Sequence, residues 1–339
     1  MKRVWILDES SQGHVVQSRG LVRELAKVMD LQVFEVPARL NIRSGFARSI
    51  VKRLLRRWHW NWLFHATHSV GSLPAGKPDL LISSGPRSMQ ALEHLSETFR
   101  CPAVFVQGTV EVPENSFTAV MRPFEGVRRK DFIFIPLLFT EITPDSAAAA
   151  KDSFLVENPI QPKGPLNTLL IGASSTKIRF SEDDWKEIAY MVNDFWRRDG
   201  RQWLITTSGR TGSALEDLLR KEIEPDAILD AVWYSKAPRK VTKAFLGLAD
   251  RVFVTMDSLT MLTEAVASGR PTCALCPADL TEDRSNTHFQ YSLDLAANGF
   301  ISQIRLGCGT EFPPTPPVPP PVDYSGAIRE LTNRLQWNA

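Results

Sequence analysis

The stretch Val254-Thr-Met-Asp-Ser-Leu-Thr-Met-Leu-Thr-Glu-Ala-Val-Ala-Ser-Gly-Arg-Pro271 predicts a strand that turns into a helix and then stops. The apolar strand spans Val252 to Thr255, and either Asp257 or Ser258 is suited to cap the helix. The first turn of such a helix exposes backbone N–H groups and the positive end of the helix dipole, and both favour a phosphate. The Gly269-x-Pro271 pattern ends the helix and precedes another extended segment.

An acidic residue inside this helix adds a second feature. Glu264 lies one to two turns beyond the cap, where its carboxylate can accept hydrogen bonds from the hydroxyls of a ribose. A strand, an anion-ready helix start, an acid and a Gly-x-Pro stop together favour a site for a nucleotide diphosphate. The alternative is an ordinary strand–helix–strand corner, because capped helices are common.

Length and composition indicate a globular protein of two domains. The chain has 339 residues, of which 43% are hydrophobic and 23% charged. The amino-terminal apolar run ends after four residues at Asp8, which favours a strand over a signal peptide, and no apolar run reaches the 18 residues of a membrane span. We therefore expect a cytoplasmic protein.

The four cysteines, Cys101, Cys273, Cys276 and Cys308, do not indicate a disulfide framework. Cys273 and Cys276 form a C-x-x-C pair, but they lie within a predicted strand, whereas a redox pair is usually found at the start of a helix. The chain has no second pair to complete a zinc site. We expect these cysteines to be structural.

Strands and helices alternate along most of the chain, which predicts parallel sheets covered by helices on both faces. The predicted strands are Val4–Leu7, Leu31–Val36, Asp79–Ser83, Ala103–Gln107, Phe132–Ile135, Thr168–Gly172, Gln202–Thr206, Val252–Thr255 and Thr272–Cys276. The predicted helices are Val15–Met29, a basic helix between Gly45 and Phe64, one ending at Phe99, Ser181–Arg198, Ser213–Lys221, Val241–Leu248, one starting at His288, and Tyr324–Leu335.

Two proline-rich stretches divide this pattern. Residues 158–165 interrupt the alternation, and residues 312–322 contain seven prolines and are expected to be extended. We predict a first domain over residues 1–160, a second over 166–311, and a linker with a final helix over 312–339. The fold class is therefore α/β with two Rossmann-like domains facing across a cleft.

The positive charge of the chain is concentrated in one segment. No Asp or Glu lies between Val36 and Pro78, whereas eight cations do: Arg39, Arg43, Arg48, Lys52, Arg53, Arg56, Arg57 and Lys77. Every fourth residue of the predicted basic helix is apolar: Phe46, Ile50, Leu54, Trp58 and Trp62. This pattern is typical of a helix that lies on an anionic membrane, with Arg53, Arg56, Arg57, Trp58 and Trp62 as the contact residues.

Two alternatives remain for this basic helix. It packs on its own domain with a solvated basic rim, or it contacts nucleic acid. Nucleic acid is the least favoured partner, because base-stacking sites rarely form a single amphipathic helix. We expect no nucleic-acid partner.

Four further loops follow predicted strands, at the sheet edge where α/β proteins bind ligands. They are Asp8–Ser18, Ser83–Ser88, Gly172–Lys177 and Thr206–Thr211. The last offers backbone donors, hydroxyls and Arg210 to a pyrophosphate. None matches a Walker A loop or a G-x-G-x-x-G loop, so the sequence gives little support to dinucleotide redox chemistry.

These motifs resemble those of a known family. Gln12-Gly-His-Val-Val-Gln17, Leu169–Gly172 with Lys177, Thr206–Ser208 with Arg210, and Val254–Met261 with Glu264 and Gly269-x-Pro271 span the chain from residue 1 to about 305. They resemble the GT-B-fold, glycosyltransferase-like family related to the plant mitochondrial-fission (elongated-mitochondria) factor. The Gly-His pair and Glu264 are also similar to the lipid-linked peptidoglycan N-acetylglucosaminyltransferase, an enzyme of the membrane surface.

The resemblance implies a nucleotide-sugar donor in the second domain, an acceptor in the first, and a C-terminal helix that crosses back onto the first domain. Two positions depart from the family pattern. Ala173 stands where the family often has a second glycine, and Val106–Glu111 lacks the usual Gln-Asp-Pro-Arg.

Glycosyl transfer needs a base for the acceptor hydroxyl and positive groups for the departing diphosphate. His14 is the preferred base, with Asp8 and Glu9 placed to orient it, and its alternative role is a loop or cap hydrogen bond. The sequence contains no Asp-x-Asp metal motif, and we expect neither a metal nor a cofactor beyond the nucleotide-sugar co-substrate. The predicted donor-binding residues are Ser174, Ser175, Lys177, Thr207, Ser208, Arg210, Asp257, Ser258, Thr260, Glu264, His288 and Gln290.

The favoured function is metal-independent transfer of a sugar from a nucleotide sugar to a saccharide or lipid-linked acceptor near the membrane surface. We expect the protein in the cytoplasm, peripheral on the inner face of the membrane. One alternative is a non-catalytic, membrane-associated adaptor on the same fold, since the plant relatives recruit a dynamin-like protein to mitochondria. A second alternative is a nucleotide-sugar epimerase or hydrolase.

Overall fold

The computed structural model describes residues 1–42, 50–51, 53–54, 61–106, 112–123, 129–175, 177–283, 285–307 and 316–337. The chain forms two compact units. The first comprises Met1–Glu141 and Asp323–Ala339, and the second comprises Ile142–Val322.

Within its described residues, the first unit forms a sheet with the order β3-β2-β1-β4-β5-β6-β7, in which β3 alone is antiparallel to its neighbour. The strands are β1 (Lys2–Asp8), β2 (Leu31–Leu40), β3 (His68–Val70), β4 (Leu80–Ser83), β5 (Ala103–Val106), β6 (Ala119–Arg122) and β7 (Phe132–Phe134). The helices are α1 (Gln12–Ala26), α2 (Asn61–Thr67) and α3 (Met89–Phe99), and residues 50–51 and 53–54 are also helical.

The second unit has a parallel sheet whose order is β10-β9-β8-β11-β12-β13 in the described part of the chain. Its strands are β8 (Leu166–Ile171), β9 (Gln202–Thr207), β10 (Ile228–Val232), β11 (Arg251–Thr255), β12 (Thr272–Cys276) and β13 (Ser302–Arg305). Its helices are α4 (Pro144–Glu157), α5 (Glu182–Asp199), α6 (Ser213–Glu222), α7 (Thr242–Leu248), α8 (Leu259–Ala267) and α9 (Thr287–Ala297), with a short 3₁₀ helix at Pro225–Ala227.

Both sheets follow from apolar runs in the sequence. In β1, Val4 to Leu7 are at most 1% exposed, as expected for a central parallel strand that is covered on both faces. The helices show local start and stop signals as well. In α5, Ser181 and Asp184 form a capping box, and Gly200 closes the helix in the left-handed conformation. These features confirm two Rossmann-like domains.

The boundary between the units differs from the predicted one. Helix α4, which we assigned to the first domain, belongs to the second unit, because it packs on α7 and the rings of Phe154 and Phe245 meet at 5.8 Å. The proline-rich stretch 158–165 is irregular, as predicted, but it lies inside the second unit.

The C-terminal helix α10 (Ser325–Arg334) belongs to the first unit, which confirms that the chain crosses back. The Tyr324 hydroxyl donates to the Leu138 carbonyl at 3.1 Å, and the Tyr324 ring stacks on Phe139 at 4.7 Å. At the other end of α10, Arg334 donates to the Phe132 carbonyl at 2.9 Å. The end of the chain therefore completes the packing of the first unit.

The cysteine prediction can be checked at three positions. Cys101, Cys273 and Cys276 are buried free thiols, and the last two lie in β12. Burial raises the pKa of each of these two thiols to about 12, so both stay protonated at neutral pH. Cys308 lies outside the described residues.

Candidate functional site

In the second sheet, the strands after β8 are added first on one side of it and then, from β11 onward, on the other. The loops that follow β8 and β11 lie at this reversal of strand order and form a candidate anion site. The Gly172 N–H after β8 donates to the Thr255 hydroxyl at 2.9 Å. A Cβ on Gly172 would lie 2.6 and 2.8 Å from the two Asp257 carboxylate oxygens. Only glycine therefore lets the two loops approach this closely.

The loop after β8 is shaped by its own hydroxyls. Ser174 accepts a hydrogen bond from the Phe180 N–H at 2.9 Å, and Ser175 accepts from Lys177 at 3.2 Å and from Ile178 at 3.0 Å. The predicted donor residues Ser174 and Ser175 thus fix the loop, and the exposed Lys177 follows them. The Lys177 carbonyl accepts from the Asn286 side chain at 2.9 Å, which ties this loop to the start of α9.

The loop after β9 contributes a cation. The Ser208 hydroxyl donates to the Gly172 carbonyl, and the Ser208 N–H donates to the Thr211 hydroxyl at 2.9 Å. These bonds hold the turn from which Arg210 reaches the Asp257 carboxylate at 3.1 Å. The Arg210 side chain is 51% exposed, so part of its guanidinium faces solvent.

Thr207 and the buried Glu216 link two strand ends. The Thr207 hydroxyl donates to Glu216 at 2.6 Å and accepts from the Tyr234 N–H at 2.8 Å. Glu216 also accepts from the Ser235 hydroxyl and from its N–H at 3.1 Å. Burial raises the pKa of Glu216, but the hydrogen bonds from Ser235 and Thr207 outweigh it, and the net pKa lies below the usual value.

Thr207 was predicted as a donor-binding residue, and the structure places its hydroxyl against Glu216. We did not predict a role for Glu216, because no local signal distinguishes it from any other acid in the first turn of a helix. Its contacts come from the end of β9, nine residues away, and from the turn after β10, 19 residues away.

Asp257 is almost fully buried, with an exposure of 1%. Burial raises its pKa to about 6, against the opposing influence of the Thr255 hydroxyl and of the Arg210 charge. Its Oδ2 faces Arg210, whereas its buried Oδ1 has no hydrogen-bond partner in the described part of the chain.

Two helix starts complete the site. Ser258 caps α8 by accepting from the Met261 N–H, and Asn286 caps α9 by accepting from the His288 N–H at 3.1 Å. Neither helix has an acidic residue in its first turn, so the positive ends of both dipoles are not neutralised from within the helix. Thr260 lies in the first turn of α8, and the partly buried Glu264 lies one turn further along it.

His288 stands in the first turn of α9. Burial lowers its pKa to about 4, and the nearby charges of Arg210 and Lys177 lower it further. Its buried Nδ1 has no hydrogen-bond partner among the described residues. The imidazole is therefore neutral at physiological pH and faces two cations. Gln290, by contrast, donates to Asp294 at 2.6 Å within α9.

The first unit holds a second group of polar residues where β1 and β4 end. Glu9 is 6% exposed, and its Oε1 lies 2.5 Å from His14 Nδ1. Its Oε2 accepts from the Arg87 N–H at 2.6 Å and from the Ser88 N–H at 3.1 Å. Burial raises the pKa of Glu9, but the hydrogen bonds and the charge of His14 outweigh it, so the net pKa lies below its usual range.

This arrangement fixes the tautomer of His14. A carboxylate beside Nδ1 keeps the ring proton there and leaves the lone pair on Nε2. Gly85 has a φ of 103°, and a Cβ on it would lie 2.4 Å from His14 Nδ1. The loop after β4 therefore needs glycine at this position. We expected Asp8 to orient His14 as well, but Asp8 accepts from the Ser10 N–H at 2.7 Å.

The described apolar residues of the basic segment differ in their exposure. Leu54 is partly buried against the core of the first unit, whereas Ile50 is 42% and Trp62 65% exposed. Phe64 is buried and stacks on His94 at a centroid distance of 3.9 Å. Four-residue spacing cannot tell which apolar side chains the sheet will bury. Arg53 is exposed. Phe46, Arg56, Arg57 and Trp58 lie outside the described residues.

The described residues lack two features, a cluster of metal-ligating side chains and a helix able to cross a membrane. No cluster of three or more His, Cys, Asp or Glu side chains suited to a metal ion occurs there. None of the helices in that part of the chain has the length and apolar character needed to cross a membrane.

Solved structures share the fold. The UDP-GlcNAc 2-epimerase of Methanocaldococcus jannaschii is 11% identical, with all of both chains covered and a TM-score of 0.55. That of Neisseria meningitidis, bound to UDP-GlcNAc, is 10% identical, with all of both chains covered and a TM-score of 0.53. ADP-heptose heptosyltransferase II of E. coli is 13% identical, with 99% of each chain covered and a TM-score of 0.47. At such identities the likeness shows the GT-B fold alone.

No curated protein sequence matches the chain. A family model does match, over residues 12–314, and it is described as mitochondrial fission ELM1. The match covers most of the chain and includes His14 and the candidate anion site of the second unit, while Glu9 lies just before it. It confirms the family resemblance that the motifs indicated: the chain belongs to the mitochondrial fission ELM1 family.

Proposed function

We propose that this chain binds a nucleotide diphosphate-sugar at the carboxyl edge of the second sheet and transfers the sugar to a saccharide or lipid-linked acceptor without a metal ion. One observation supports this most directly. The starts of α8 and α9, the cations Arg210 and Lys177, and the neutral His288 converge on the loop after β8. Helix starts and fixed cations together neutralise a diphosphate.

The remaining donor groups fit the same ligand. Glu264 on α8 is proposed to accept hydrogen bonds from the ribose hydroxyls, as a carboxylate one turn beyond a phosphate-binding helix start can. The buried Nδ1 of His288 offers a hydrogen bond to a phosphate or sugar oxygen. The solved structures of the same fold include UDP-GlcNAc 2-epimerases, one of them bound to UDP-GlcNAc, which is in keeping with a nucleotide-sugar ligand.

His14 is proposed as the base. Its Nε2 takes the proton of an acceptor hydroxyl while Glu9 stabilises the imidazolium through Nδ1. The acceptor oxygen forms a bond to the anomeric carbon, and the bond from that carbon to the phosphate oxygen breaks. The nucleoside diphosphate leaves with the electron pair, and Arg210, Lys177 and the two helix starts stabilise its charge.

Turnover of a bound nucleotide sugar, with saccharide or lipid-linked acceptors, tests this assignment. His14→Ala is expected to lower kcat by about 10²–10⁴-fold, the usual effect of removing a positioned base. Glu9→Gln keeps the shape of the side chain and is expected to lower kcat as well. Donor affinity is expected to stay unchanged in both variants. Normal turnover in His14→Ala would exclude the base role.

Nucleotide-sugar epimerisation or hydrolysis is the second candidate function, because two of the structures that share the fold are UDP-GlcNAc 2-epimerases. Incubation of a nucleotide sugar without acceptor separates the two functions, since an epimerase or hydrolase forms product and a transferase does not. Tight nucleotide-sugar binding with no product under either condition would favour a non-catalytic adaptor.

We further propose that the protein acts in the cytoplasm, peripheral on the inner face of the membrane. Ile50 and Trp62 expose apolar surface in a segment whose sequence lacks acidic residues from Val36 to Pro78. Exposed aromatic and cationic side chains on one segment favour an anionic bilayer surface.

A further inference from the structure

Asp257 places a negative charge at a site that is proposed to bind an anion. The residue lies directly before the Ser258 cap of α8 and is 1% exposed. Its carboxylate contacts Arg210, a cation that the proposed ligand also needs. An ionised carboxylate fixed at this position would repel a diphosphate, because charges interact strongly at a site shielded from water.

The surroundings of Asp257 stabilise its ionised form poorly. Arg210 reaches Oδ2 at 3.1 Å, and Oδ1 is buried without a hydrogen-bond partner among the described residues. The uncharged backbone of Gly172 lies on the other side, so close that a Cβ there would be 2.6 Å from a carboxylate oxygen. Burial already raises the pKa of Asp257 to about 6. Its ionised form is supported by a hydrogen bond from Thr255, by the charge of Arg210 and by the Ala173 N–H, and among these Arg210 supplies the positive charge.

The Arg210 side chain can move away from the Asp257 carboxylate. This side chain is half exposed, and it holds Asp257 through one nitrogen rather than through a two-pronged contact. The exposed guanidinium can turn toward a ligand in solvent, and the buried carboxylate that it leaves is then unpaired, which favours its protonation. A diphosphate, which offers several anionic oxygens, competes well with one carboxylate oxygen for the guanidinium.

We propose that anion binding at this site is coupled to protonation of Asp257: the diphosphate takes Arg210, and the carboxylate takes one proton from solvent. The inference rests on the proposed function. No bond of the ligand changes, and the product of the step is a neutral carboxylic acid beneath the bound phosphates. The loss of its cation and the arrival of a dianion both favour the protonated acid.

The other groups around Asp257 do not take up the proton in its place. His288 has a pKa of about 4, so it stays neutral while Asp257 titrates. Lys177 and Arg210 are cations, and the Gly172–Ala173 loop has no charge. Glu264 is the acidic residue of α8, and the variant Glu264→Gln checks whether Glu264 takes up the proton instead.

Calorimetric titration in buffers of different ionisation enthalpy tests the proposal. The probes are UDP-GlcNAc, an ADP-sugar and GDP-mannose, because both phosphates of each are esterified and do not titrate near neutral pH. For the nucleotide sugar that binds, we expect uptake of more than about half a proton per ligand at pH 7. The Kd is expected to rise by up to about tenfold per pH unit between pH 6.5 and 8.

Three variants identify the side chain that takes up the proton. Asp257→Asn, which keeps the shape of the side chain, is expected to bind without proton uptake and with little dependence on pH. Asp279→Asn, on an exposed loop position, and Glu264→Gln are expected to keep the uptake. Wild-type binding without proton uptake, or uptake that persists in Asp257→Asn, would overturn the inference. Failure of all three nucleotide sugars to bind would instead overturn the proposed function and the inference with it.

Discussion

Ala173 is the residue whose backbone is most unusual at the candidate site. It follows Gly172 at the end of β8, is 4% exposed, and has a φ of 137°, where a residue with a side chain is strained. Strain of this kind costs on the order of 1–3 kcal/mol and is often found at functional sites. The sequence shows an alanine where the family often has glycine, but it does not reveal the dihedral angle.

We predict that Ala173→Gly raises the free energy of unfolding by about 1 kcal/mol. Glycine removes the strain, and the greater freedom of the unfolded chain offsets part of the gain. Ala148→Gly, at an exposed position of α4, is the control and is expected to lower the free energy of unfolding by about 1 kcal/mol. Urea unfolding measures both. A destabilised Ala173→Gly variant would contradict the strain argument.

The residues of the site differ in how far the sequence could predict them. Arg210, Asp257 and Ser258 lie where a loop follows a strand, so their place at the sheet edge could be predicted. Their partners could not, because the Arg210–Asp257 contact joins residues that are 47 positions apart. The sequence likewise predicts that Thr207 binds the nucleotide sugar, because it does not reveal that the Thr207 hydroxyl donates to Glu216.

At the scale of elements, prediction succeeded where apolar runs and capping residues agree. Strands β1, β8, β9, β11 and β12, with helices α5 and α8, lie close to the predicted bounds. Strands β3, β6, β10 and β13 and helix α4 were missed. The four strands have three to five residues, and most of β10 is only partly buried, so their apolar patterns are weak.

The basic segment shows the limit of periodicity most clearly. Leu54 and the buried Phe64 pack on the core of the first unit, which favours packing on its own domain for those side chains. Ile50 and Trp62 remain exposed. The spacing of the apolar residues is compatible with both environments, and only the position of the sheet decides between them.

We predict that the protein binds vesicles containing anionic lipid and that binding weakens as salt rises. Replacing Arg53, Arg56 and Arg57 by Gln is expected to weaken binding on the order of 100-fold, at about 1 kcal/mol per cation. The same change at Arg197, Arg198 and Arg220, which are exposed in the second unit, is the control. Equal co-sedimentation with neutral and anionic vesicles would argue against a membrane role.

At the scale of the whole molecule, the chain builds two α/β units and returns at its end to the first. The second sheet has the strand order of nucleotide-binding folds, and its candidate site lies at the reversal of that order. The polar group of Glu9 and His14 follows β1, the central strand where the first sheet reverses. Both locations follow from parallel sheets, which the alternation of strands and helices predicted.

The division between the units was less predictable. Helix α4 follows directly on the first unit in sequence, and nothing in its alanine-rich stretch indicates that it packs on α7. The C-terminal helix was assigned through the family resemblance, since ten residues beyond a proline-rich stretch do not specify which unit they cover. Contacts between distant parts of the chain, such as Tyr324 with Leu138, decide both points.

The central claim is that the second unit binds a nucleotide sugar at the starts of α8 and α9, and calorimetric titration with UDP-, GDP-, ADP- and CMP-sugars tests it most directly. We predict that at least one binds and that Glu264→Ala weakens its affinity by about 1.5–3 kcal/mol, the usual contribution of a charge-assisted hydrogen bond. Glu182→Ala, at an exposed position of α5, is expected to bind normally. Binding of none of the four, or equal binding by Glu264→Ala, would contradict the account.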